Sequence, residues 1–270
     1  MIYIYHCPDF NEIISLVLYD SLIENGIECI LNRDIDNHLD ELWILTVSFF
    51  DIIKWPKRYI VYQTEYFLNI QNELYIKFIK NSIQIWEYSK LNLEYLKTIH
   101  NNVIYIPFGY SKSLEIWNDI SKENINIKND VFFLGPETSY RNKIINNLIK
   151  DNISVTYFKN LVFGKERERL IASSKICLVI HKEENTPFTQ DISRIYPFGA
   201  KKIFQICENI EEKNIKSVIY CPIQDLSKKI KYYLENDEER KKNINEVYNE
   251  IILNKMSDTI KNNLNLLILK

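Results

Sequence analysis

The sequence predicts an α/β protein of two consecutive domains, each an open parallel sheet covered by helices. Three observations carry this. Short apolar runs alternate with amphipathic stretches along most of the chain, the pattern of buried parallel strands joined by helical crossovers. A polar stretch at 111–130, mixed in charge and rich in Asn, Lys and Glu, interrupts that alternation, and its second part reads as a linker. The length of 270 residues suits two domains of roughly 100–150 residues each. The expected boundaries are 1–120 for the first domain, 121–256 for the second, and a last helix at 257–270 placed to pack back on the first.

In the first half, strands are expected at 2–5, 27–31, 42–48, 59–63, 83–88 and 103–107. Between the first two, 12–24 carries Ile13, Ile14, Leu16, Val17, Leu22 and Ile23, with Gly26 placed to stop the helix, which makes a βαβ unit. Further helices are expected at 72–80 and 91–98. After the linker come a strand at 131–134, a helix at 141–150, a strand at 153–157 and a helix at 166–174. A strand at 176–180, a helix around 192–198 and strands at 203–206 and 218–220 follow, then amphipathic helices at 226–234, 238–253 and 260–269. Two such domains leave a cleft between the carboxyl ends of their strands, where open sheets bind ligands.

With 46% hydrophobic and 26% charged residues the chain is an ordinary globular protein, not a disordered one. Lys plus Arg (34) nearly cancels Asp plus Glu (36), which argues against a nucleic-acid or acidic-membrane partner. The basic clusters at 201–202, 228–229 and 240–242 read as solvated helix faces, and Tyr232-Tyr233 as core. Cys7, Cys29, Cys177, Cys207 and Cys221 are scattered and odd in number, so they read as small buried residues in a reducing compartment. The start Met1-Ile2-Tyr3-Ile4-Tyr5-His6 lacks the basic n-region of a signal peptide, and no apolar stretch approaches the ~20 residues that span a bilayer. A soluble, cytoplasmic protein is expected.

Five glycines cannot build a glycine-rich phosphate cradle, and neither GxGxxG nor GxxxxGK[ST] occurs, which weakens dehydrogenase and P-loop readings. Gly135, between the strand at 131–134 and a helix, either admits a phosphate to the backbone and the helix N-terminus or makes a tight turn. The strand at 176–180 ends abruptly in His181-Lys182-Glu183-Glu184, as a strand does on entering a cleft. The next helix carries Asp191 and, one turn on, Arg194, and the next strand closes on Glu208. A guanidinium can offset a diphosphate bidentately, and a carboxylate can accept both ribose hydroxyls. Asp191 and Arg194 could also be a helix-start charge and an i,i+3 ion pair.

These residues occur in an order that resembles a widespread family of GT-B glycosyltransferases. The similar segments are Asp130-Val131-Phe132-Phe133-Leu134-Gly135 with Arg141, Gly164-Lys165-Glu166-Arg167 with Leu170-Ile171, and Lys175-Ile176-Cys177-Leu178-Val179-Ile180-His181. Asp191-Ile192-Ser193-Arg194-Ile195, Glu208, Asp225-Leu226, Tyr232-Tyr233-Leu234 and Glu239-Arg240 continue it. In the first half Tyr62-Gln63-Thr64-Glu65 and Tyr105-Ile106-Pro107-Phe108-Gly109-Tyr110 are similar too, so the likeness runs from about Tyr59 to Arg240. It implies two Rossmann-like domains with parallel sheets facing a central cleft, and transfer of a sugar from a nucleotide diphosphate sugar to a glycan-type acceptor. It also implies no cofactor beyond the donor and no metal, the leaving diphosphate being met by Arg194, the Gly135 loop and a helix N-terminus. Asp34-Ile35-Asp36 lies too early in the fold to serve as a metal-binding DxD.

The nucleotide-sugar residues so implied are Gly135, Arg141, His181, Asp191, Arg194 and Glu208. Candidates for the catalytic groups are His6 and Asp9 after the first strand, Glu65 after the fourth, and Asp191, since a base working near pH 7 is a histidine or a carboxylate of raised pKa. His6 is equally readable as a surface residue. Asp191 stands where the family has a glutamate, and 196–199 lacks the second glutamate of many retaining enzymes, so the stereochemical outcome stays open. The rival readings are a non-catalytic nucleotide- or glycan-binding module derived from a transferase, a sugar-nucleotide epimerase or phosphorylase on the same fold, and a DNA glucosyltransferase, which the neutral charge disfavours.

Overall fold

The computed structural model describes residues 1–7, 11–46, 54–64, 72–115, 126–158, 162, 164–184, 192–209 and 212–268. The chain divides into two compact units, Met1–Ser113 with Asn254–Lys270, and Leu114–Leu253. In the first unit β1 (Ile2–Tyr5), β2 (Cys29–Asn32), β3 (Leu42–Thr46), β4 (Arg58–Gln63), β5 (Gln84–Glu87) and β6 (Val103–Tyr105) form a sheet in the order β2-β1-β3-β4-β5-β6. Every neighbouring pair is parallel. Parallel neighbours need crossovers, and α1 (Glu12–Glu24), α2 (Glu73–Asn81) and α3 (Lys90–Leu96) supply three of them. The strand centres are apolar rather than alternating, as in a helix-covered parallel sheet. Trp43, Leu45, Tyr59, Val61 and Ile85 pack with Tyr75, Phe78 and Ile79 of α2, and the rings of Tyr59 and Phe78 stack at 5.1 Å.

The second unit repeats the scheme. Here β7 (Asn129–Leu134), β8 (Val155–Phe158), β9 (Ser174–Val179), β10 (Gln205–Glu208) and β11 (Ile219–Cys221) are ordered β11-β10-β9-β7-β8, again parallel. The helices are α4 (Ser139–Lys150), α5 (Gly164–Ala172), α6 (Ile192–Ala200), α7 (Leu226–Glu235) and α8 (Asp237–Leu253). The chain then returns to the first unit, where α9 (Met256–Asn263) packs on α1. Beyond it, Gln84 fastens the tail to the sheet. Its Nε2 donates to the Leu266 carbonyl at 2.9 Å, and its Oε1 accepts from Trp86 Nε1 at 2.8 Å and from the Ile268 amide at 3.2 Å. Among the described residues no helix is long and apolar enough to cross a membrane.

Three helices end in the same way. After α1, Ile27 N donates to Leu22 O and Gly26 N to Ile23 O; after α4, Ile153 to Leu148 and Asn152 to Ile149; after α6, Ile203 to Phe198 and Lys202 to Gly199. Each needs a left-handed residue, with φ of +71° at Gly26, +61° at Asn152 and +57° at Lys202. Only Gly26 advertises itself. The α6 stop explains why β10 starts at Gln205, two residues later than the apolar run at 203 suggests: Ile203 and Phe204 are used to close the helix. The last helix is likewise earlier than expected, at Met256–Asn263 rather than 260–269.

Two basic residues depart from the expectation of solvated faces. The Lys201 side chain is 8% exposed, with its Nζ 2.6 Å from Glu168, whose other oxygen is 3.1 Å from Arg167. Arg240 is buried, its Nη1 donating to the carbonyls of Tyr233 and Leu234. Of the tyrosine pair only Tyr233 is core; Tyr232 is 47% exposed. Helices α6 and α8 meet at Gly199, where an added Cβ would stand 2.1 Å from Ile251 Cδ1 and 2.9 Å from Val247 Cγ1. Gly199→Ala should therefore lose about 1–3 kcal/mol by overpacking, and a paired Ile251→Val should recover part of it. Chemical denaturation of the three proteins checks this.

Candidate functional site

Both sheets have one place where the strand order reverses, between β1 and β3 and between β7 and β9. Such a reversal, flanked in the second unit by β7 with α4 and β9 with α6, opens a crevice at the carboxyl ends, the usual ligand position in such sheets. The described residues among those singled out from the sequence gather at these two points, and each unit's group stands by itself.

In the second unit the chain leaves β7 at Leu134-Gly135 and enters α4 through Thr138, whose Oγ1 caps the helix by accepting from the Arg141 amide at 3.1 Å. This cap puts Tyr140 and Arg141 at the crevice on the first helical turn. Arg141, 4% exposed, turns its guanidinium inward. Its Nε donates to the carbonyls of His181 (3.0 Å) and Ile180 (3.3 Å), Nη2 to Ile180 (2.8 Å), and Nη1 to Pro136 (3.2 Å). The end of β9 is thereby tied to the loop after β7. Gly135 has no Cβ because Arg141 lies against it: a Cβ there would be 3.0 Å from Arg141 Nη1 and 3.2 Å from the Phe133 ring.

Glu208 closes β10 and is 8% exposed. Its Oε2 accepts from the His181 amide at 3.0 Å, and its Oε1 accepts from the Tyr140 hydroxyl. Burial, then the hydrogen bond to Glu208, push the Tyr140 phenol well above its ordinary pKa, so it remains a donor. The buried ring of Phe133 faces two cations, with Arg141 Cζ 5.3 Å and Arg194 Cζ 5.9 Å from its centroid. Arg194 comes from the first turn of α6 and is only partly buried. The crevice at β7, β9 and β10 therefore holds a fixed carboxylate, a partly buried arginine, and the start of α4, the set that a ribose and a charged phosphate group require.

In the first unit His6 follows β1. Its Nδ1 lies 2.7 Å from Ser15 Oγ on α1, and Asn11 binds on either side of it, to the Tyr5 carbonyl (2.7 Å) and the Cys7 amide (2.6 Å). Asn11 also reaches Thr46 Oγ1 at the end of β3, at 3.4 Å. Burial lowers the His6 pKa; Glu12 acts in the opposite sense and Arg33 adds to the lowering. All five cysteines are free thiols, four of them buried, and burial pushes Cys29 up to about 11.

Gly135, Arg141, His181, Arg194 and Glu208 thus come together, while His6 belongs to the other unit's crevice. Asp9, Glu65 and Asp191 lie outside the described residues. The resemblance implies a nucleotide-facing Arg141; the structure commits its guanidinium to backbone carbonyls instead, because β9 ends with two buried carbonyls that need donors. The sequence reading missed Phe133 and Tyr140 in one unit and Asn11 and Ser15 in the other. An i,i+4 Asn/Ser pair at a helix start after a strand histidine was the available signal for the latter two. Among the described residues no group of three or more His, Cys, Asp or Glu side chains could hold a metal ion.

No protein-family model and no curated protein matches the sequence. Solved structures do match. AviGT4, a glycosyltransferase involved in avilamycin A biosynthesis, superposes with a TM-score of 0.59 at 9% identity over 98% of this chain and 96% of its own. Anabaena Alr3699/HepE, solved in complex with UDP and glucose, gives 0.63 at 10% identity over 98% and 99%. The chain has a GT-B glycosyltransferase-like fold. In a GT-B frame the strand-end residues described above stand on the two Rossmann-like sheets that define it, and the match extends over both units.

Proposed function

We propose that the protein transfers a glycosyl group from a nucleoside diphosphate sugar to a hydroxyl-bearing acceptor such as a glycan. The observation that carries this is the preorganised Glu208 carboxylate at the β7/β9/β10 crevice, held by the His181 amide and the Tyr140 hydroxyl with Arg194 beside it over Phe133. The GT-B-like fold and a structural neighbour that binds UDP support a nucleotide there. In this reading Glu208 accepts from the ribose hydroxyls, and Arg194 and the N-termini of α4 and α6 offset the diphosphate. The acceptor oxygen attacks the anomeric carbon, the bond from that carbon to the phosphate oxygen breaks, and the diphosphate leaves with the electron pair. The hydroxyl proton goes to a general base, for which His6 is a described candidate.

Charge on the leaving group is balanced by the chain's own cation, so turnover should survive EDTA. The test is a thermal-shift screen of nucleotide sugars followed by assay of the stabilising ones. A donor at 100 times its Kd should add about 2.7 kcal/mol of stability. Loss of turnover in EDTA with recovery in manganese would refute metal-independent transfer. Stabilisation with no hydrolysis or transfer under any acceptor would make the protein a binding module, and epimerised free donor would make it an epimerase.

A further inference from the structure

The contacts of Ser15 determine which nitrogen of His6 carries the proton. Ser15 is fully buried on the first turn of α1, and its Oγ lies 3.0 Å from the Asn11 carbonyl, 3.0 Å from the Glu12 carbonyl and 2.7 Å from His6 Nδ1. A hydroxyl has one proton to donate and two lone pairs to accept with. Were that proton aimed at Nδ1, the oxygen would face two carbonyl oxygens with lone pairs only, a repulsion that no solvent relieves at a buried site. Placed between the carbonyls, as serines do when they back-bond within a helix, the proton leaves an Oγ lone pair free to accept from Nδ1–H. The other nitrogen is then unprotonated, because the hydrogen bond made by one ring nitrogen sets the state of the other.

The backbone around the ring is equally fixed. Asn11 binds the residues before and after His6, and the His6 amide donates to the Asn32 carbonyl at 3.0 Å. We propose that Ser15 is a positioning residue that holds His6 as the Nδ1–H tautomer, so that Nε2 is free to accept the proton of an acceptor hydroxyl bound at the first unit's own crevice. This rests on the transferase reading above. The ring is part-buried beside Glu12 and Arg33, and burial dominates in lowering its proton affinity, so the accepting form is the resting form at neutral pH.

Nitrogen NMR of the four ¹⁵N-labelled histidines in the full-length protein tests this, with His6→Gln used to assign the signal. Wild type should show Nε2 with the shift of an unprotonated nitrogen and Nδ1 with that of a protonated one. Ser15→Ala should lose that preference, and its kcat should fall about tenfold with KM unchanged. A wild-type spectrum with the proton on Nε2 overturns the proposal and leaves the transferase reading untouched, as does a folded Ser15→Ala with wild-type kcat. If the spectrum shows Nδ1–H but His6→Gln transfers sugar at the wild-type rate, or no nucleotide sugar is turned over at all, the proton transfer to Nε2 falls with the reading it rests on.

Discussion

Arg141→Met should unfold about 3–5 kcal/mol more easily than wild type, with its nucleotide affinity per folded molecule nearly unchanged. The guanidinium is 4% exposed and donates to the carbonyls of Pro136, Ile180 and His181, of which the last two belong to buried residues. Methionine fills similar space but donates nothing, and each stranded acceptor costs on the order of 1–3 kcal/mol. At roughly 2–4 °C per kcal/mol for a chain of this size, the melting temperature should fall by about 10 °C. Arg141→Lys should recover only part, since a point-like ammonium cannot span three carbonyls as a planar fork does. The opposite pattern, a wild-type melting temperature with nucleotide binding abolished, would restore Arg141 to the ligand and refute its role as a tie between β7 and β9.

Arg194→Ala and Glu208→Gln should divide the nucleotide between them. If Arg194 offsets diphosphate, its removal should weaken a nucleoside diphosphate by about 10- to 100-fold, the loss of a charged hydrogen bond worth roughly 1.5–3 kcal/mol, while the nucleoside alone changes little. Lysine should rescue partly. Glu208→Gln should weaken nucleoside and diphosphate by the same factor, about 1–3 kcal/mol, whatever the base. Its side-chain oxygen can still accept from the His181 amide and its NH₂ can face the Tyr140 oxygen, so the fold should hold. Calorimetric titration of both variants with both ligands decides. Affinities equal to wild type would remove the nucleotide from this crevice and leave Arg194 and Glu208 as structural charges.

The strands were legible because buried parallel strands are written as apolar runs: Ile2–Tyr5 and 131–134 need no partner information to be recognised. Residues such as His181 and Glu208 were legible as positions, since an ionisable group that ends an apolar run marks where a strand emerges at the sheet edge. Gly26 as a stop was legible from its own backbone freedom. Lys202 in the same left-handed role was not, because lysine carries no such signature and accepts the strain only where the closing bonds to Phe198 and Gly199 impose it.

What the sequence alone determined is therefore the α/β class, the two successive sheets and the chain positions at their carboxyl edges, all consequences of local periodicity and of where polarity changes. What only the tertiary structure decided is what each of those side chains does. Arg141 belongs to the β9 carbonyls, Lys201 to Glu168, Tyr140 to Glu208 and Ser15 to His6. Most of these partners lie on different elements, between 9 and 68 residues apart in the chain. The choice between a solvated charge and a buried one depends on donors and acceptors brought together by the fold, a property that no single segment carries.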